Sequence, residues 1–336
     1  GTPAVADIDA DGDLELLVGS GDVYCWHHDG IEFIDGDGDP RTNGVYATHG
    51  TGGYRSSLAV GELDGDVYPE LVGAAWGNVG GGTPEYEVYA WNAEDGTVLA
   101  GFPVTTPLFC WATPALGDLD HDGLSEIVLP CADGLLYCWS GDGTELIDGD
   151  GDPATDGVFA DLMQSWAYGS PSLVDFDGDY DLEIVVASRS ESIYVFNPDG
   201  SRVPGWPVDV QGKATSSVAV GDVDADGEME IVASTQSHKC FLLDNSGAVM
   251  SGWPKDIQHG GDFPPSPTLA DLDGDGDLEI LQLGSDGEFR IWTWEGSDFP
   301  GWPKDLGDAC HSSPAVGDID QEGGLEIVVG CNDGRV

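Results

Sequence analysis

The chain has 336 residues, 40% of them hydrophobic, so a real core can form and disorder is excluded for most of its length. Its 63 acidic residues stand against 10 Lys and Arg, a formal net charge of -53. Nucleic acid is excluded as a partner, because phosphate binding needs basic patches. No apolar run approaches the ~20 residues needed to span a bilayer, so no membrane span is expected in this fragment.

Such an imbalance makes a folded domain repel itself, and something must offset it. Divalent cations held by clustered acids are one answer, and a salty habitat is the other. The sequence opens on Gly1 and shows no signal peptide, and it reads as a mature or trimmed piece.

One segment recurs seven times. It reads PAVADIDADGDLELLV from Pro3, SLAVGELDGDVYPELV from Ser57, PALGDLDHDGLSEIVL from Pro114 and PSLVDFDGDYDLEIVV from Pro171. It returns as SVAVGDVDADGEMEIV from Ser217, PTLADLDGDGDLEILQ from Pro267 and PAVGDIDQEGGLEIVV from Pro314. The leading acids are spaced 55, 56, 57, 47, 49 and 47 residues apart. A period near 50 made of strand-like pieces points to propeller blades, not to a helical solenoid.

Within each unit a short apolar strand enters an acidic loop, and a run such as ELLVGS or EIVVAS leaves it, which reads as a hairpin. An alternating aromatic strand follows, such as VYCW or LLYCW, and closes on a Gly turn. A fourth element often carries GFPV, GWPV or GWPK, starting at Gly101, Gly205, Gly252 and Gly301. The expected fold is all-β: one domain over residues 1–336, a seven-bladed β-propeller of four-stranded blades. Its last blade is incomplete, because the seventh unit stops at Val336 as its third strand should begin. Trp26, Trp91, Trp139, Phe196, Trp292, Trp206, Trp253 and Trp302 are expected to pack between blades, since each unit cannot bury its faces alone. Insertions over 34–50, 77–86 and 147–165 are expected to project from one face.

The loops follow D-x-D-x-D-G-x-x-E. Alternate acids in a tight turn can point at one centre, and Gly at the sixth position permits the bend. The first loop offers Asp7, Asp9, Asp11, Asp13 and Glu15, and the third offers Asp118, Asp120, Asp122 and Glu126. The fifth offers Asp222, Asp224, Asp226 and Glu230, and the sixth Asp271, Asp273, Asp275, Asp277 and Glu279. The fourth, Asp175, Asp177, Asp179, Asp181 and Glu183, has Tyr180 where Gly is expected. The seventh, Asp318, Asp320, Glu322 and Glu326, has Glu at the fifth position. The second, Glu62, Asp64, Asp66 and Glu70, departs most, with Val67 in place of Gly. An oxygen-only cage of this kind suits Ca²⁺, with several ions per chain. Softer metals would want His or Cys. The last acid stands at the ninth position and a strand follows it, so these loops are not EF-hands.

Two insertions repeat the acidic theme. Asp35, Asp37, Asp39 and Asn43 match Asp148, Asp150, Asp152 and Asp156, and read as further Ca²⁺ loops. Of seven Cys, Cys110 and Cys131 share their spacing of 21 with Cys310 and Cys331, at equivalent places of two units. Two equivalent disulfides and an oxidising compartment are expected. Cys25, Cys138 and Cys240 sit in apolar strand patterns and read as buried thiols.

The seven loops with their flanks resemble the FG-GAP/VCBS repeat proteins, which include the propeller of integrin α subunits. The combination of PAVGDIDxDGxxEIVV with GWPV is similar to bacterial surface and secreted members. The resemblance implies Ca²⁺ within each blade, held between its first two strands by the residues named above. Glu in place of Asp at the ninth position departs from the family. Such a chain is expected at the cell surface or outside the cell, as an adhesion, ligand-binding or scaffold module that takes a protein or glycan at a loop face. A polysaccharide-active enzyme of lyase type is the alternative, and Arg55, Arg189, Lys213, His238 and His311 are the residues whose convergence it would need. No nucleophile elbow, HExxH or P-loop is present, so no enzyme is the expectation. A structural subunit, docking through its unfinished seventh blade, is the third reading.

Overall fold

A computed structural model describes residues 2–38, 44–48, 53–54, 56–77, 85–149, 151, 157–163, 165–258, 263–332 and 334. All regular structure among them is β. The chain divides into two compact units, residues 1–173 with 198–200, and residues 174–197 with 201–336.

Each repeat makes its own antiparallel sheet, with strands in chain order. The first uses Ala4–Ala6, Glu15–Gly19, Val23–Trp26 and Val45–Ala47, and the third Ala115–Gly117, Glu126–Pro130, Leu135–Trp139 and Val158–Asp161. The second has the longest hairpin, Glu70–Gly77 with Glu85–Asn92, and a short extra strand at Gly53–Tyr54. Repeats four, five and six close on Val208–Asp209, Lys255–Asp256 and Lys304–Asp305. The seventh contributes Ala315–Gly317 and Glu326–Val328.

The second strand is buried along its whole length in repeats three to six, as EIVLP, EIVVAS, EIVAST and EILQL demand. A continuous apolar run is the mark of a strand covered on both faces. The cores accordingly lie between consecutive sheets. One joins Leu63, Val72 and Val88 of repeat two to Ile127, Leu129 and Trp139 of repeat three. Another joins Val185 and Trp206 of repeat four to Ile231 and Leu243 of repeat five. Trp91, Trp139, Phe196, Trp206, Trp253 and Trp292 are buried, as the repeat argument expects. The indoles of Trp206 and Trp253 donate to carbonyls of the following repeat, Asn245 at 3.2 Å and Trp294 at 2.7 Å.

The insertions of repeats one and three correct one expectation. Their ends do not project: Val45–Ala47 and Val158–Asp161 are the fourth strands of their sheets. Val45, Tyr46, Val158 and Phe159 are buried. The two fold alike, because Cys25 and Cys138 each donate a backbone N–H to the carbonyl of Gly44 or Gly157, both at 2.8 Å. Those glycines press on Trp26 and Trp139, leaving no room for a Cβ. Asp39, Asn43, Asp150, Asp152, Asp156 and Arg55 lie outside the described residues. Of the insertion acids that are described, Asp35 accepts from Gly38 N–H at 2.7 Å and Asp148 from Gly151 N–H.

The chain forms Cys110–Cys131 and Cys310–Cys331 disulfides, and Cys25, Cys138 and Cys240 are buried thiols. Each disulfide ties the approach to a repeat's first strand to the turn after its second. The backbone repeats the geometry, with Ala132 N–H on Phe109 O and Asn332 N–H on Ala309 O, both 2.9 Å.

Candidate metal centres

The acidic loops connect the first and second strands of every repeat. The ninth-position Glu opens the second strand. In register it faces the residue just before the loop's first acid, as in Ala6 with Glu15 or Gly221 with Glu230. From there its side chain turns back into the loop. One oxygen, Oε2, accepts the backbone N–H of the loop's second residue in all seven copies. The distances are 3.1 Å for Ile8 on Glu15, 2.6 Å for Leu63 on Glu70 and 2.8 Å for Leu119 on Glu126. They are 2.8 Å for Phe176 on Glu183, 2.9 Å for Val223 on Glu230, and 2.8 Å for both Leu272 on Glu279 and Ile319 on Glu326. The longer Glu thus clamps the hairpin with one oxygen, and Glu15, Glu70 and Glu183 also stand among the acids of their own loops.

The first acid folds the loop onto itself. Gly12, Gly123, Gly227, Gly276 and Gly323 each donate to Oδ2 of Asp7, Asp118, Asp222, Asp271 and Asp318, at 3.0 to 3.2 Å. In the fourth loop Tyr180 fills that place, donating to Asp175 Oδ2 at 3.2 Å, and it adopts a φ of 78° to do so. In the second loop Gly65 donates to Glu62 Oε1 at 2.6 Å, as Gly178 does to Asp175 Oδ1 at 2.8 Å and Gly274 to Asp271 Oδ1 at 2.6 Å.

Sequence reasoning missed a second backbone requirement. The fourth loop position is left-handed in every copy: Ala10, Gly65, His121, Gly178, Ala225, Gly274 and Gln321 have φ between 55° and 86°. Gly at three of the seven was the available signal, and Ala, His and Gln at the others concealed it.

The acids converge as their spacing requires. Oxygens of Asp7, Asp9 and Glu15 lie within 4.8 Å of one another, as do those of Glu62, Asp64 and Glu70, and of Asp175, Asp177 and Glu183. Asp118 groups with Asp120 and Asp122, and Asp222 with Asp224 and Asp226. Some seventh-position acids are engaged elsewhere. Asp277 Oδ2 accepts the Trp294 indole N–H at 2.9 Å, and Asp13 lies 3.6 Å from His28 Nδ1. His27 Nδ1 shares a 3.2 Å hydrogen bond with Glu15 Oε1.

Burial and charge make these cages unfavourable for bare carboxylates. Glu15 and Glu70 are fully buried. Burial first, and then the neighbouring loop Asp, push Glu70, Glu126, Glu183 and Glu230 up to about 7, against the pull of the backbone N–H bond. Glu279, Asp177 and Asp224 are raised for the same first reason. Glu70 Oε1, Asp118 Oδ1 and Asp224 Oδ1 are buried with no hydrogen-bond partner. Buried polar oxygens without a partner are costly. A cation at the centre of the loop would satisfy all three and favour the ionised acids, so the donor set fits a metal ion.

Of the residues considered for catalysis, Lys213 and His238 flank one turn of repeat five. Gln236 donates to the Lys213 carbonyl and Ile257 to that of His238.

Four-stranded sheets in series, each opened by an acidic hairpin, define a repeat protein of the β-propeller class. Solved structures agree on the fold. The BamB structure from Moraxella catarrhalis is 13% identical with a TM-score of 0.57, covering 98% of this chain and 80% of that one. The biofilm matrix protein Bap1 of V. cholerae is 14% identical with a TM-score of 0.62, covering 98% and 74%. BBS1N, solved in complex with ARL6DN, is 10% identical with a TM-score of 0.59, covering 99% and 89%. No curated protein sequence matches the chain. The FG-GAP-like repeat model matches residues 175–233 and 271–329, each span running from one acidic loop through the next. Those two spans are similar to FG-GAP-like repeats, and they sit in a chain whose fold is that of the β-propellers.

Proposed function

We propose that this protein is an extracellular, calcium-loaded, seven-bladed propeller that serves as an adhesion or scaffold module. The carrying observation is the set of buried, partnerless oxygens at Glu70, Asp118 and Asp224, inside loops already closed by the ninth-position Glu. All candidate ligands are hard oxygens, and loops of mixed carboxylate and backbone donors suit the 6–8 coordination of Ca²⁺ better than strict octahedral Mg²⁺. The two disulfides support an oxidising, extracellular setting. A biofilm matrix protein among the structural neighbours supports a surface role. Seven copies of one loop support seven blades. Calcium would staple each hairpin, and its loss would leave clusters of mutually repelling carboxylates.

The test is thermal unfolding with and without EGTA, at low and high NaCl, together with a metal count by mass spectrometry. Several Ca²⁺ per chain and a large EGTA-dependent fall in Tm are expected. A site held at 100 times its Kd adds about 2.7 kcal/mol of stability. Little bound Ca²⁺ and a dependence on NaCl alone would leave the loops as acidic turns of a salt-adapted protein.

A further inference from the structure

The first unit carries an aromatic surface that no acidic loop uses. Phe109 and Trp111 lie on the approach to the first strand of repeat three, and Trp166 and Tyr168 on the matching approach to repeat four. Tyr86 stands near the start of a repeat-two strand, Glu85–Asn92. The rings form one connected cluster. Phe109 stacks on Trp111 with centroids 4.7 Å apart, and Trp111 on Tyr168 at 5.0 Å. Trp166 meets Phe109 and Tyr168 edge-on at 6.2 and 5.7 Å, and Tyr86 meets Phe109 at 6.0 Å. Trp111 remains 38% exposed and Trp166 44%. Contiguous exposed aromatics of this kind mark interaction sites.

Charge selects the occupant. The first unit holds 32 acidic residues and two basic ones, Arg41 and Arg55, and it contains no Lys. Cations in its three acidic loops would cancel a minor part of that excess. Glu85, next to Tyr86, and Asp161, on the strand that leads to Trp166, are both exposed. An anionic polymer would be repelled, and a neutral glycan would gain nothing from this field. A cation gains twice, from the field and from the ring quadrupoles. The second unit shows the pairing within the chain itself: Lys304 Nζ sits 4.4 Å from the Trp302 ring centroid, Lys255 5.7 Å from Trp253, and Arg202 5.6 Å from Tyr194.

We propose that the Phe109–Trp111–Trp166–Tyr168 cluster is the docking site for a basic polypeptide segment, whose Lys and Arg side chains lie over the two exposed indoles. This rests on reading the chain as a binding module.

The experiment titrates a short fluorescent poly-lysine peptide into the whole calcium-loaded chain at ~0.15 M salt, where long-range attraction is screened. Trp111→Ala with Trp166→Ala is expected to weaken binding at least ~10-fold, with Tm and calcium count unchanged. Equal affinity in that variant would show that acids alone attract the peptide, and would overturn the proposal. Binding of a neutral oligosaccharide, lost in the variant while peptide binding persists, would overturn it in favour of a sugar platform. Should the variant misfold, the wild-type protein decides: bound peptide is expected to shield tryptophan from acrylamide quenching, and no shielding refutes the site. A chain that holds no calcium yet loses peptide with the two indoles would sink the calcium reading alone.

Discussion

Repeats one and three fill the fourth strand of their sheets in one way, and repeats four to six in another. In the first pair a long insertion returns as Val45–Ala47 or Val158–Asp161, and a left-handed glycine lies flat on the aromatic strand's Trp. In the others a short G-W-P turn delivers a two-residue strand, and its own aromatic ring, or the glycine before it, reaches the next repeat. Gly205 and Gly252 press on carbonyls of Ser246 and Glu295, and Trp206 donates to Asn245. The same slot accepts two unrelated sequences because what defines it is an unpaired strand edge over buried aromatic surface. Either solution meets that demand, and in repeats one, three, four and five a glycine, Gly44, Gly157, Gly205 or Gly252, allows the close approach.

The acidic loops do not share in that difference, and they supply the largest expected effect. Glu70 and Glu126 in the first unit and Glu183 and Glu230 in the second are all raised from 4.5 to about 7. A raised carboxyl binds its proton more tightly when folded, so it stabilises the fold at low pH. That stability is lost as pH climbs from about 4.5 through about 7. Metal-stripped protein is therefore expected to melt higher at pH 5 than at pH 8, and calcium should reverse the trend. Melting curves at both pH values check this, and a flat profile would detach the buried Glu from stability.

Glycine substitutions probe the two strand solutions directly. In Gly157→Ala the new Cβ would meet the Trp139 ring, at a φ of 97°. A cost of about 3 kcal/mol is expected from overpacking and a left-handed side chain together. Gly205→Ala meets a backbone oxygen at 2.5 Å and should cost somewhat less. Denaturant unfolding of both variants measures the gap, and a reversed order would break the comparison. Trp206→Phe trades the buried indole for a smaller ring and removes the bond to Asn245, for about 2 kcal/mol. In the same assay Trp139→Phe should cost more through lost volume, because Trp139 is fully buried against Gly157. The smallest effect is a gain. Tyr180 is 85% exposed with a φ of 78°, so Tyr180→Gly should add up to about 1 kcal/mol by relieving its left-handed backbone. An unchanged midpoint would show that the ring contributes something that offsets the strain.

Much of the molecule is legible in the order of its residues. The recurring D-x-D-x-D-G-x-x-E marks seven hairpins, the shared Cys spacing marks both disulfides, and the alternating aromatic strands mark the inter-sheet cores. These are local signals, carried by residues that repeat in register. The clamp made by the ninth-position Glu is only half legible. Its departure from Asp is visible, yet its two roles need the register that sets Glu230 opposite Gly221. The insertions mislead because acidic, Gly-rich composition reads as surface loop. The buried strands at their ends are three or four residues long and carry no period of their own.

The sequence by itself determined the strand grammar and the acid cages, which are local patterns, and the repeat and the sign of the charge, which follow from recurrence and composition along the whole chain without any fold. The tertiary structure alone decided which oxygens are left without partners, that the fourth loop position is left-handed, and that Trp111 and Trp166 share one surface. Those outcomes depend on desolvation, backbone closure and contacts across some 55 residues of chain, where no local pattern reaches.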